Sequence, residues 1–272
     1  MNTRDISRVA SLLLLSVSLV GCNPNLQLSP PKDGELVEVS VNVPDGFTPS
    51  DVDVVYRSKT CTRSGVSLAN GSMVTRDGYQ TLKLKMMRKK GSTFHSAAVP
   101  VDGGGQCRWA LSNLMFGLEY VDPTKLWPTA LMGGSAVIIV RYDANRPPIS
   151  SGREEKISDD LLIQADYYPW IHERFIGGHR TSLRFFGKTG DYIRFYAPSS
   201  RKIHFEPSFH TDFIVHSKGH KEKTIGLHHV FTYPDGSQQR EKLGRPDFEK
   251  LQKIRFNAEQ AQRQLAPDLH LR

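Results

Sequence analysis

From Glu35 to Asp143 the chain alternates short apolar runs with turn signals, the spacing of β-strands rather than helices. Val37, Val39 and Val41 alternate with Glu38 and Ser40, and Val52 to Tyr56 form a second short run. Leu82, Leu84 and Met86 alternate with Lys83 and Lys85, as a half-exposed strand requires. Residues 109–120 and 136–142 complete at least five predicted strands, separated by Asp45-Gly46, Asp77-Gly78 and the glycines at 103–105. An antiparallel sandwich is the economical packing of such strands.

A polar, proline-bearing stretch at 146–160 reads as a linker to a second lobe over residues 161–272. There, residues 183–186 and 192–196 flank Gly187-Lys188-Thr189-Gly190 as in a hairpin, and more strands are expected at 203–205, 212–215 and 227–233. The period then changes. Phe248, Leu251, Ile254, Ala258, Ala261 and Leu265 recur at three- and four-residue steps, predicting a helix that stops before Pro267. Lys250, Lys253, Arg255 and Arg263 occupy its other face. Two alanines and no tryptophan make the apolar face poor for entering a membrane, so the helix is expected to pack on its own domain. The predicted fold class is therefore mainly β: two antiparallel β-sandwich-like lobes, at 35–145 and 161–272, and a C-terminal amphipathic helix.

The first 21 residues differ from the rest. Arg4 and Arg8 precede an apolar run that is too short and too interrupted by serine to span a bilayer, and Leu19-Val20-Gly21-Cys22 follows. This resembles the signal peptide and lipobox of bacterial lipoproteins. The resemblance implies removal of residues 1–21 and acylation of Cys22 as a membrane anchor. Asn23, which is not an aspartate, implies sorting to the outer membrane, facing the periplasm. Residues 22–34, with Pro24, Pro30 and Pro31, read as a lipidated tether.

Composition sharpens this picture in two ways. The formal charge is +8, and residues 161–272 carry 18 basic against 12 acidic side chains, so the excess lies in the second half. A basic surface favours anionic partners, and an envelope location argues against nucleic acid as the natural one. Besides Cys22 there are only Cys61 and Cys107, which an exported chain is expected to join. Closing that loop of about 46 residues would stabilise the fold by roughly 4 kcal/mol, less any strain.

Candidate chemistry lies in the second half, where nine of the ten histidines fall between residues 172 and 270. His210, Asp212 and His216 would share one face of a strand, but the two imidazoles would then lie about 20 Å apart, too far for one ion. No metal or cofactor is expected. Gly133-Gly134-Ser135 only approximates a nucleophile elbow, and the metalloprotease and phosphate-loop patterns are missing, so the chain is not read as an enzyme. Tyr167-Tyr168-Pro169-Trp170, with His172 and Arg174 beyond, is a cluster of residue types enriched at interfaces. Its alternative is a hydrophobic edge between the lobes. Arg184 and Arg194 join the candidates for contact with an anionic partner.

Residues 105–113, Gly-Gln-Cys-Arg-Trp-Ala-Leu-Ser-Asn, continuing to Phe116-Gly117, are similar to lipoproteins encoded beside type VI secretion effectors. The resemblance implies an immunity protein that binds and neutralises a secreted toxin, often a phospholipase, and it carries no catalytic residue. The alternative expectation is a non-catalytic envelope module that binds glycan or an assembly protein.

Overall fold

The computed structural model describes residues 26–67, 69–131, 133–145, 153–222, 229–241 and 244–265; Cys22 lies outside them. Its strands are β1 (Leu36–Asn42), β2 (Phe47–Pro49), β3 (Val52–Val66), β4 (Met73–Leu84), β5 (Met87–Arg88), β6 (Phe94–Pro100), β7 (Asp102–Gly104), β8 (Trp109–Tyr120) and β9 (Ser135–Arg141). After these come β10 (Glu155–Lys156), β11 (Leu161–Arg174), β12 (Arg180–Phe186), β13 (Tyr192–Tyr196), β14 (Lys202–Phe209), β15 (Val215–Lys218), β16 (His229–Thr232) and β17 (Gln238–Glu241). A single helix, α1 (Phe248–Leu265), ends the described chain where the three- and four-residue apolar period placed it.

The alternating valines of β1 all face inward, with Ile203 and Phe205 of β14 and Leu161 and Ile163 of β11 beside them. Opposite them lie Val52, Val54 and Tyr56 of β3, Leu114, Phe116 and Leu118 of β8, and Ile138 and Val140 of β9. These two layers make the expected mainly β sandwich. One sheet runs β17-β16-β15-β11-β14-β1-β6-β5 with β12 also on β11, and the other runs β10-β13-β9-β8-β3-β4 with β2 and β7 also on β8.

Both sheets are mixed, not purely antiparallel. β14 lies parallel to β1 and to β11, β15 parallel to β11, and β13 parallel to β9. The expected boundary at 146–160 does not divide the sheets, because β1 and β6 share a sheet with β11 and β14. Alternation specifies which face a side chain takes but not which strand lies alongside, so distant segments complete each other's edges. Of that linker, residues 146–152 lie outside the described chain, and Glu155–Lys156 forms β10 on β13.

Two lobes exist nonetheless, and β11 links them. Its first half belongs to the large sandwich core. From Tyr168 onward it pairs with β12 on one edge and β15 on the other, and a second core forms from Tyr168, Trp170, Phe186, Val215, Phe231, Tyr233 and Leu251. Helix α1 closes this small lobe through Leu251, with Phe248 and Ile254 packed alongside. Pro169, which has no N–H, sits where β14 has ended and β15 has not begun, so the missing donor interrupts no ladder.

The segments 183–186 and 192–196 do not form the expected hairpin. The first joins β11 and the second joins β9 in the opposite sheet; only Gly187 and Gly190 bridge each other. Glycines and a turn between two strands do not oblige them to remain in one sheet. The expected tether is also shorter than 22–34. Ser29 N–H donates to the Gly103 carbonyl at 2.8 Å, the Trp109 indole N–H to the Leu26 carbonyl at 3.1 Å, and Leu28 packs on the core. A buried indole needs an acceptor, and this segment supplies it. Cys61 and Cys107 form the expected disulfide, across a bulge in β3. Gly78 permits that bulge, since a Cβ there would come within 1.9 Å of the Cys61 carbonyl oxygen.

Candidate functional site

Because β11 is buried on both faces over its middle, the candidate aromatics divide between two cores. Tyr167 points into the sandwich, and Tyr168 and Trp170 point the opposite way into the small lobe; both tyrosines are fully buried and Trp170 is 6% exposed. They are packing residues, and the expectation that they present a partner platform is corrected. Arg194, on β13 in the other sheet, lies over Tyr192 with its Cζ 5.2 Å from the ring centroid.

His172, Arg174 and Arg184 are brought together. On the small-lobe face of β11, register pairs Trp170 with Arg184, His172 with Ser182 and Arg174 with Arg180. Helix α1 contacts this face at Asp166, Tyr168 and Phe186. Beyond Trp170 the face carries half-buried His172 and exposed Arg174, Arg180 and Arg184. Arg174 and Arg180 stand directly opposite each other, a pairing that costs stability. Among the described residues, no carboxylate lies within 4.0 Å of any of these three guanidinium groups as an ion pair. Arg184 rests over the Trp170 ring, 5.3 Å from its centroid, and Arg174 Nε donates to the Ile176 carbonyl.

A buried polar chain lies beneath these cations. The Trp170 indole N–H donates to Ser217 Oγ at 2.7 Å, and Ser217 Oγ lies 2.9 Å from His172 Nδ1. The indole and hydroxyl protons are both used when Ser217 donates to Nδ1 of a neutral imidazole. Burial, reinforced by His229, Arg184, Arg174 and His216, pushes the His172 pKa down to about 4. His229 stands edge-on to His172 with ring centroids 5.2 Å apart, and His220 stacks on His229 at 5.7 Å.

The opposite face of the same strands is arranged around Glu173. His216 Nε2 lies 2.7 Å from one carboxylate oxygen, and His179 Nε2 lies 3.4 Å from the other. Burial opposes ionisation of Glu173, but these two hydrogen bonds hold its pKa below the ordinary value. Trp127 stacks on His216 at 5.0 Å, bringing in the loop after β8. The expected strand carrying His210, Asp212 and His216 on one face does not form: His210 and Asp212 lie in the turn between β14 and β15, where Phe213 N–H donates to the His210 carbonyl, and His210 bonds Asp166 while His216 bonds Glu173. No three metal-ligating side chains converge among the described residues. His228 lies outside them.

Sequence reasoning missed Ser217, Glu173 and Trp127. The density of histidine was the only visible signal, and it did not reveal that Ser217, 1% exposed, would sit between Trp170 and His172. Compared with family models, curated proteins and solved structures, the chain gives no match.

Proposed function

We propose that this is a lipid-anchored envelope protein that binds and neutralises a secreted antibacterial effector, contacting an acidic patch on it through the exposed arginine end of the small lobe. The observation that carries the reading is the set Arg174, Arg180 and Arg184, gathered beside His172 without an ion-pair partner among the described residues. Like charges held opposite one another cost stability, and a carboxylate-bearing partner relieves that repulsion on docking. The lipobox-like Leu19-Val20-Gly21-Cys22 and the disulfide are in keeping with an exported, periplasm-facing location at the outer membrane. The contact needs no catalytic group; a tight inhibitor interface of ordinary size buries about 1,600 Å².

The test is competition between siblings. Cells lacking the protein should be killed by effector-secreting wild-type neighbours and rescued by the wild-type gene, but not by Arg174→Glu/Arg180→Glu/Arg184→Glu protein made at equal level. Equal survival with and without the gene would remove the inhibitor reading. The second reading is a non-catalytic envelope module for glycan or an assembly partner, favoured by the same cationic surface. Binding of purified lipopolysaccharide or peptidoglycan that weakens steeply with salt, and is lost in the triple variant, would select it.

A further inference from the structure

Strand β11 has an edge that is open for half its length. The Tyr167 carbonyl accepts from His210 N–H and the Glu173 carbonyl accepts from Gly219 N–H, so the odd-numbered residues direct their backbone groups toward β14 and β15. The even-numbered residues therefore direct theirs to the other edge. There β12 begins pairing only at Tyr168, and among the described residues no strand lies against residues 161–166 on that side.

Several other edges among the described residues are blunted. β5 and β10 are two residues long, β4 carries Arg76 and Lys83, β12 carries Arg180 and Arg184, β17 carries Arg240, and β2 holds Pro49. Such devices discourage a further strand from adding. Residues 161–166 read Leu-Leu-Ile-Gln-Ala-Asp, without Lys, Arg, Pro or Gly.

This edge faces a groove of about 650 Å³, walled by α1 on one side and by β13 and the segment after β10 on the other. Leu162 and Phe256 line it and are 63% and 52% exposed, with Phe248 and Ile193 also in its wall. Its charged lining comprises Glu155, Asp160, Asp166 and Glu249 against Lys188 alone, an acidic rim on a basic protein.

We propose that the free edge of β11 at residues 161–166 is a strand-addition site for an extended partner peptide in which apolar and basic residues alternate. Backbone groups of Leu162 and Gln164 pair with the incoming strand; its apolar side chains meet Leu162 and Phe256, and its cations meet the acidic rim. The site stands apart from the arginine end and does not depend on it.

An acetylated, amidated heptapeptide of alternating valine and lysine is the probe, titrated into the full folded protein while amide exchange is followed residue by residue. Saturable binding is expected, with exchange at Leu162 and Gln164 slowed about tenfold or more at saturation. Gln164→Pro removes an edge donor without touching the β11–β14 ladder and should weaken binding about tenfold. Phe256→Asp should weaken it severalfold, and a valine–glutamate peptide should not compete. No binding, protection elsewhere, or full affinity in Gln164→Pro would overturn the proposal. Should that variant unfold by circular dichroism, the wild-type exchange pattern decides alone.

Discussion

The two lobes bury the same strand by different means. In the sandwich, Leu161, Ile163 and Tyr167 of β11 enter a core built from aliphatic and aromatic side chains of both sheets. In the small lobe, Tyr168 and Trp170 are covered by one helix and by Ser217, and polar groups finish the packing: Arg255 Nε donates to the Tyr168 hydroxyl at 2.9 Å, and Trp170 to Ser217 at 2.7 Å. A core of apolar contacts is indifferent to pH, whereas one sealed by histidine and arginine is not. The sandwich is thus expected to act as scaffold and the small lobe as the part that responds.

The comparison breaks most sharply at the centre of the sandwich. Phe205→Ala removes a fully buried ring and should cost about 3–5 kcal/mol, unfolding both lobes together in a denaturant titration. Replacing Cys61 and Cys107 together by alanine should cost about 2–4 kcal/mol, through the unfolded chain, and lower the midpoint without changing the arginine face. Leu251→Ala, at a fully buried helix position, should cost about 2–3 kcal/mol locally. Amide exchange in β16, β17 and α1 would quicken while β3 and β8 stay protected; uniform acceleration would instead mean that the lobes unfold as one unit.

The smallest effect concerns acid. His172 has a folded pKa near 4 against an ordinary value of 6.5, so between those values the unfolded state binds the extra proton. Stability from this group is complete above pH 6.5 and is lost as pH falls toward 4; the ring is only half-buried and screened by water, which discounts the whole loss to about 1–2 kcal/mol. His172→Gln should flatten that part of the profile, leaving the loss at lower pH that Asp166 and Glu173 cause as their carboxylates protonate. An unchanged slope between pH 6.5 and 4 in the variant would assign the sensitivity to other groups.

Where one rule governed a segment, the sequence was legible. Val37, Val39 and Val41 predicted β1, residues 109–120 matched β8, and the apolar steps from Phe248 to Leu265 matched α1. Tyr167-Tyr168-Pro169-Trp170 was less legible because a strand buried on both faces loses its alternation and resembles an interface cluster. Parallel partners such as β1 and β14 lie some 160 residues apart and leave no local signal. Of the candidate site, His172, Arg174 and Arg184 were legible by residue type. Their companion Arg180 and the seat provided by Ser217 depended on register, which pairs residues only after the strands have met.

The docking of Leu26 on Trp109 sets a standoff. Only Asn23, Pro24 and Asn25 stand between it and Cys22, four residue steps that reach about 14 Å fully extended. An acyl anchor on Cys22 would therefore seat the Trp109 end of β8 close to the bilayer instead of letting the body swing on a long leash. The Tyr120 end, where the following loop stacks Trp127 on His216, lies about 36 Å further along that strand. So tethered, the end carrying Trp127 and His216 would be the one able to stand farthest from the lipid.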